Sequence, residues 1–275
     1  MGETPAVDDV TWLSEHLRDP DLLVLDASVG PEREESRRIP GARRFDLDGE
    51  MSDLTTGLPH SLPTPEVFTE NCRRLGISPH TRVVVYDAAG IFSSPRARWM
   101  LRTAGHEGTS VLDGGLPAWV AAGLDTEPWT DDAPPEPGTF TARPFAPHVV
   151  DLAQVDQLLD DPGTAVVDAR SRGRFAGTDP EPRPGIDSGH MPGSVNLPFT
   201  DLLEDGRFRS REQLVAAVES TVAPGQELVV SCGSGVTACV VALAAEVAGT
   251  EARLYDGSWS EWATRAPDRI ARTDR

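Results

Sequence analysis

Cys232 is the residue of this chain whose setting best suits covalent chemistry. It follows the apolar run Leu228-Val229-Val230 and Ser231, and it precedes Gly233-Ser234-Gly235-Val236-Thr237, where a helical pattern over 236–248 begins. In open α/β sheets ligands bind beyond the carboxyl ends of the strands, which is where this thiol would lie. Two glycines let the backbone curl so that successive N–H groups converge, and the positive end of a helix starting near Val236 adds to their field. Such a place stabilises a thiolate, or an anion carried on sulfur. A cysteine packed at a strand end is the plainer alternative, but it would not need its neighbours bared of side chains. A phosphatase loop also begins at a strand end and needs an arginine after five intervening residues to grip the phosphoryl group. That position is Ala238, so phosphatase chemistry is excluded.

Side-chain cations for anion capture are all arginine: the 25 basic residues include no lysine. Schiff-base chemistry of the pyridoxal-phosphate or class I aldolase kind is therefore excluded, as is a Walker A loop. A net charge of −19 argues against nucleic acid or an anionic membrane as partner and opposes any anionic substrate. Locally the balance differs: residues 168–183 carry four arginines against three acids, a net of +1, leaving −20 for the rest. Cys72, in a helical pattern ending at Gly76, reads as structural. Cys239 reads as core-facing, with a regulatory Cys232–Cys239 disulfide as the alternative. The six histidines (16, 60, 80, 106, 148 and 190) lack ligand spacing, so no metal and no cofactor are expected. The start lacks a basic and apolar leader, no run approaches a membrane span, and three cysteines make no disulfide framework. The expected compartment is the cytoplasm, with thiols reduced.

The elements that must position these residues come as a repeat. Leu-Leu-Val-Leu-Asp-Ala-Ser (22–28) returns as Thr-Ala-Val-Val-Asp-Ala-Arg (164–170), and Ile-Pro-Gly-Ala (39–42) as Met-Pro-Gly-Ser (191–194). Thr-Arg-Val-Val-Val-Tyr-Asp (81–87) returns as Gln-Glu-Leu-Val-Val-Ser-Cys (226–232), and Val-Leu-Asp-Gly-Gly-Leu-Pro-Ala-Trp (111–119) as Leu-Tyr-Asp-Gly-Ser-Trp-Ser-Glu-Trp (254–262). Asp26 to Asp168 is 142 residues, Asp87 to Cys232 is 145 and Trp119 to Trp262 is 143, so the chain is a duplication: a first domain over 1–130, a linker over 131–147 and a second domain over 148–275. Trp129–His148 carries five prolines and reads as an extended surface connection. The short β-branched runs Leu22–Leu25, Val83–Val85, Val166–Val167 and Leu228–Val230 suit parallel strands covered on both faces. They alternate with helical patterns over 65–75, 94–104, 152–159, 210–218 and 236–248, which argues for an α/β sandwich in each half.

With these blocks in place, the chain resembles the two-domain sulfurtransferases of the rhodanese superfamily over nearly its whole length. Its loop Cys-Gly-Ser-Gly-Val-Thr is similar to that of the 3-mercaptopyruvate sulfurtransferase subgroup; thiosulfate-using relatives carry Arg and Lys where this chain has Gly233 and Ser234. The resemblance implies tandem rhodanese-like domains, each a mainly parallel sheet flanked by helices, and a persulfide mechanism. Cys232 would take the sulfur of 3-mercaptopyruvate, releasing pyruvate, and pass it to a thiol acceptor such as thioredoxin, or to cyanide. The amides of Gly233, Gly235, Val236 and Thr237 would hold the persulfide. Residues 174–183 resemble the subgroup's substrate-binding stretch, which makes Arg174 and Arg183 the clamp for an α-keto carboxylate; Ala176 departs from a basic residue often found there. Asp48 and His60 resemble the relay that, with Ser234, manages the proton, and place the site in a cleft between the domains. The Asp48–His60 spacing departs from the usual one, which leaves Asp46 and Asp53 open as partners. The first domain has Asp87 in place of the cysteine and would form no persulfide. Ser94–Trp99 resembles a stretch that packs and salt-bridges. A thiosulfate:cyanide sulfurtransferase and a non-catalytic sulfur-carrier or protein-binding module are the competing readings.

Overall fold

The computed structural model describes residues 4–130 and 133–273. Met1–Glu3, part of the stretch read as lacking a leader, and residues 131–132, at the head of the expected linker, lie outside them. Two compact units divide the chain: unit 1 takes residues 1–53, 62–145 and 205–208, and unit 2 takes 54–61, 146–204 and 209–275.

Unit 1 runs β1 (Val7–Asp8), α1 (Val10–His16), β2 (Leu22–Asp26), β3 (Arg37–Arg38), β4 (Arg43–Arg44), α2 (Pro65–Arg74), β5 (Arg82–Tyr86), α3 (Ser94–Thr103), β6 (Thr109–Leu112), α4 (Gly115–Ala121) and β7 (Glu127–Pro128). Five strands make a parallel sheet in the order β1-β6-β5-β2-β4. β2 and β5 are buried from their second residue on, as unbroken apolar runs require when both faces of a sheet are covered. Val24, Val84, Tyr86, Leu112 and Trp119 share one core cluster. The helix boundaries follow local chemistry: Thr64 caps α2 by accepting the Val67 amide, Pro65 stands at its first position, and Gly76 beyond it takes a left-handed φ of +81°.

Unit 2 runs β8 (Val149–Val150), α5 (Leu152–Leu158), β9 (Thr164–Asp168), α6 (Arg172–Ala176), β10 (Val195–Asn196) and β11 (Leu203–Glu204); the next short strand, β12 (Arg207–Phe208), is grouped with unit 1. It continues with α7 (Arg211–Glu219), β13 (Glu227–Ser231), α8 (Ala238–Ala248), β14 (Ala252–Tyr255) and α9 (Ser258–Arg265). The parallel order β10-β9-β13-β14-β8 repeats that of unit 1 position for position, so the duplicated sequence is a duplicated α/β topology. Val150, Val166, Val229, Trp259 and Trp262 lie in its core cluster.

Three features differ from the sequence reading. The helix after Cys232 begins at Ala238, not Val236, with Thr237 as its N-cap; Val236 and Thr237 thus lengthen the loop. The helices α1, α4, α6 and α9, of 7, 7, 5 and 8 residues, lie outside the helical patterns read from the sequence; at about two turns or fewer an apolar period is weak. The segment 133–145 has no regular secondary structure but is fastened along unit 1. Phe140 and Phe145 are buried, and the Gly138 and Phe140 amides bond to Arg73 and Ile77 carbonyls at 2.8 and 3.1 Å. Two aromatic anchors outweigh the solvating tendency of its prolines.

Candidate active site

Cys232 directly follows the central strand of its sheet and is buried, 1% exposed. Its peptide is held from the first turn of α9. The Cys232 N–H donates to Ser258 Oγ at 3.2 Å, and the Trp259 N–H donates to the Cys232 carbonyl at 2.9 Å. Gly233 is held in turn: its carbonyl accepts the Ser260 N–H at 3.0 Å and the Ser260 hydroxyl at 2.6 Å. Beyond that point, among the described residues, no hydrogen-bond acceptor takes the amides of Gly233, Ser234, Val236 and Thr237. These donors stand ahead of the amino terminus of the 11-residue helix α8, whose dipole favours negative charge.

The corresponding loop of unit 1 reveals what such a frame holds. Asp87 directly follows β5, as Cys232 follows β13, and is fully buried. Its Oδ2 accepts the amides of Phe92, Ser93 and Ser94 at 3.0, 3.0 and 2.8 Å and the Ser94 hydroxyl at 2.6 Å, while Oδ1 accepts the Ala89 amide at 3.1 Å. Burial raises its pKa above the ordinary carboxylate value, with the Ser94 hydroxyl and the amides of Ser94, Phe92 and Ser93 pulling the other way. Four amides and a hydroxyl converging on one carboxyl group make this loop a cradle of donors that its own aspartate fills.

The two arginines of the expected clamp both reach the Cys232 loop. A Cβ placed on Gly233 would lie 2.9 Å from Arg174 Nη2 and 3.9 Å from Arg183 Nη1, and Arg183 Nη2 stands 3.5 Å from Ser234 Oγ. Arg174, on α6, is also one end of an ion-pair chain. Its Nε and Nη2 bond to the two oxygens of Glu181 at 3.0 and 2.5 Å. Glu181 in turn binds the buried Arg170 at 2.8 Å, and Arg170 binds Asp168 at 2.6 Å while lying 4.2 Å over the Trp259 ring. Burial would lower the pKa of Arg170; the Asp168 and Glu181 carboxylates outweigh it and raise it. The sequence reading counted Glu181 and Arg170 only in a charge sum. The two acids and two bases Asp168, Arg170, Arg174 and Glu181, gathered about a helix of five residues, were the available signal.

His60 belongs to unit 2, with residues 54–61, and its Nδ1 lies 2.9 Å from Ser234 Oγ; the imidazole tautomer decides which donates. His60 sits in the left-handed region, φ +59°, uncommon outside glycine though histidine is among the residues enriched there. The turn is held by Thr56, whose Oγ1 accepts the Leu58 amide at 3.1 Å and lies 2.8 Å from Ser61 Oγ. Asp48 is part of unit 1, where its Oδ2 accepts the Gly30 amide at 2.7 Å. Of the alternatives, Asp46 is bound to Arg33 at 2.5 Å, and Asp53 is likewise part of unit 1. The structure thus brings Cys232, Ser234, His60, Arg174 and Arg183 to one loop; the carboxylate partner of His60 stays an assignment from sequence.

The remaining cysteines are buried and free. Burial pushes the Cys72 thiol well above its ordinary pKa, and Cys239 donates through Sγ to the Gly235 carbonyl at 3.3 Å. Among the described residues, no group of three or more His, Cys, Asp or Glu side chains could hold a metal ion, and no helix is long and apolar enough to cross a membrane.

A family model for the rhodanese-like domain matches residues 9–122 and, a second time, 151–265. The chain is 44% identical to thiosulfate/3-mercaptopyruvate sulfurtransferase 1, mitochondrial, of Arabidopsis thaliana, covering 98% of this chain and 78% of that protein. It is 43% identical to 3-mercaptopyruvate sulfurtransferase of Homo sapiens, covering 93% and 91%. Among solved structures it is similar to the crystal structure of SseA from Escherichia coli, of the 3-mercaptopyruvate sulfotransferases, with a TM-score of 0.82 and 37% identity, covering 94% of this chain and 100% of that one.

Proposed function

We propose that this chain, which belongs to the rhodanese family, is a sulfurtransferase that moves sulfur from 3-mercaptopyruvate through a persulfide on Cys232 to a thiol or cyanide acceptor, releasing pyruvate. The observation that carries the reading is the Asp87 cradle: a loop of this kind wraps four amides and a hydroxyl around an anion borne by the residue after the strand. In unit 2 that residue is Cys232, so the anion is a thiolate and then a persulfide.

In the first half-reaction the Cys232 thiolate attacks the donor's sulfur. An S–S bond forms, the C–S bond breaks with its electron pair on carbon, and the donor's thiol proton ends on that carbon as pyruvate leaves. The Ser234–His60 pair is suited to relay this proton. Arg174 and Arg183, both at the Gly233 edge of the loop, suit the keto carboxylate. In the second half-reaction an acceptor thiol, of the kind thioredoxin carries, takes the outer sulfur and returns the Cys232 thiolate; cyanide leaves as thiocyanate. Three buried free thiols support a reducing compartment, the cytoplasm.

The test is intact and peptide mass spectrometry after donor treatment. One added sulfur atom on Cys232 with mercaptopyruvate is expected, and none in Cys232→Ser. A clear preference for thiosulfate in kcat/KM would move the chain to the thiosulfate reading, and unchanged transfer by Cys232→Ser would favour a non-catalytic module.

A further inference from the structure

Ser258 occupies a position where glycine is the unstrained choice. Its φ is +49°, in the left-handed region that serine enters at a cost. Its counterpart 143 residues earlier is Gly115, with φ +52°. In unit 1 the loop lies directly on that glycine: a Cβ on Gly115 would sit 2.3 Å from the Asp87 carbonyl oxygen and 2.5 Å from that of Gly90. Unit 2 puts a buried side chain in the equivalent place, and its hydroxyl has two partners. It donates to the Tyr255 carbonyl at 2.9 Å and accepts the Cys232 N–H at 3.2 Å.

The carbonyl of the loop's first residue is held alike in both units, by Leu116 N–H on Asp87 at 3.0 Å and by Trp259 N–H on Cys232 at 2.9 Å. The serine hydroxyl is what unit 2 adds. Physical chemistry accounts for the difference. Asp87 anchors itself, because its carboxylate accepts five hydrogen bonds from its own loop and helix. A cysteine makes weak hydrogen bonds and cannot lock its backbone that way.

We infer that Ser258 is a positioning residue for Cys232: its hydroxyl holds the Cys232 N–H so that the thiol is presented to the loop amides, and the backbone strain at 258 is retained for that purpose. The inference rests on Cys232 being the sulfur-carrying nucleophile.

Ser258→Ala keeps the left-handed strain and removes the hydroxyl; Ser258→Gly removes both. If the hydroxyl positions the thiol, both variants lose about tenfold in the single-turnover rate of persulfide formation, although Ser258→Gly melts higher than Ser258→Ala. The midpoint of the pH profile for iodoacetamide alkylation, followed at the Cys232 peptide, shifts upward in both. A wild-type rate in Ser258→Gly overturns the inference. So does an alkylation midpoint that stays put while rate and melting temperature fall together, which marks a merely structural residue. The alkylation arm needs no sulfur donor. If the unsubstituted chain takes up no sulfur, the sulfurtransferase reading fails on its own, and alkylation still decides whether Ser258 positions the thiol.

Discussion

Replacing Gly233 by alanine separates catalysis from stability, because the new methyl group would meet only the far ends of side chains. A Cβ there lies 2.9 Å from Arg174 Nη2, against an ordinary contact of about 3.5 Å, so the guanidinium must withdraw by roughly half an ångström or more. It is not free to do so unchanged. The same Nη2 bonds to Glu181 at 2.5 Å, and Glu181 is committed to Arg170 at 2.8 Å. One charge-assisted hydrogen bond is worth about 1.5–3 kcal/mol; with Arg174 25% exposed, solvent screening reduces this to about 1.4 kcal/mol. That is about tenfold in kcat/KM for mercaptopyruvate. The backbone at 233 is outside the left-handed region, so alanine is tolerated, and the glycine-to-alanine change contributes about 0.4–1 kcal/mol through the unfolded chain. Melting temperature should therefore fall only slightly, by the difference of about 0.4–1 kcal/mol, while mercaptopyruvate turnover falls about tenfold. Thiosulfate, which has no carboxylate to be gripped, should lose less. Steady-state kinetics with both donors and cyanide as acceptor, alongside a thermal melt, make the measurement. Full mercaptopyruvate activity in Gly233→Ala, or a loss that only follows a lower melting temperature, would refute the link between the bare loop and the arginine clamp.

Arg183→Ala should reduce kcat/KM for mercaptopyruvate by roughly 10–100-fold while leaving the cyanide half-reaction of a preformed persulfide nearly unchanged; equal losses in both half-reactions would defeat the clamp assignment. Unit 1 holds the buried His106, whose Nδ1 lies 2.7 Å from Thr109 Oγ1 and Nε2 3.2 Å from the Ser78 carbonyl oxygen, and burial lowers its pKa below 6.5. The neutral ring is thus favoured by folding: its contribution is complete above the unfolded-state pKa and is lost as pH falls through it toward the lower folded value. Denaturant melts at about pH 7.5 and about pH 5.5 should show a larger acid loss in the unsubstituted chain than in His106→Gln, and equal losses would remove His106 from the acid response.

What the sequence displayed and what it concealed divide along a physical line. The parallel strands were visible because strands covered on both faces need an unbroken apolar centre, as Leu22–Leu25 of β2, Val83–Val85 of β5, Ala165–Val167 of β9 and Leu228–Val230 of β13 supply. The Cys232 loop was visible because the chemistry proposed for it uses bare backbone, and glycine cannot be disguised. Contacts made by ordinary side chains across long separations left no pattern: Ser258 meets Cys232 over 26 residues, and His60 meets Ser234 over 174. Only the family resemblance singled out His60. Charge was ambiguous for a different reason. An arginine that grips a substrate and one that pairs with a neighbouring acid look alike in a sequence, and Arg174 does the second in the place where it can do the first.

The duplication changes what can be extracted from that ambiguity, because each unit acts as a control on the other. Two loops on one topology differ at their first residue, Asp87 against Cys232, and at the turn beneath, Gly115 against Ser258. In unit 1 the anion is covalently built in and the turn is relaxed, as a site with no turnover allows. In the reaction proposed for unit 2 the anion comes and goes with each sulfur, so rigidity cannot come from the group that reacts. It has to come from the backbone around it: Ser258 and Trp259 on Cys232, and Ser260 on Gly233. A serine tolerated at φ +49° is intelligible on those terms, since a loop that exchanges its anion needs a fixed point that the exchange does not disturb.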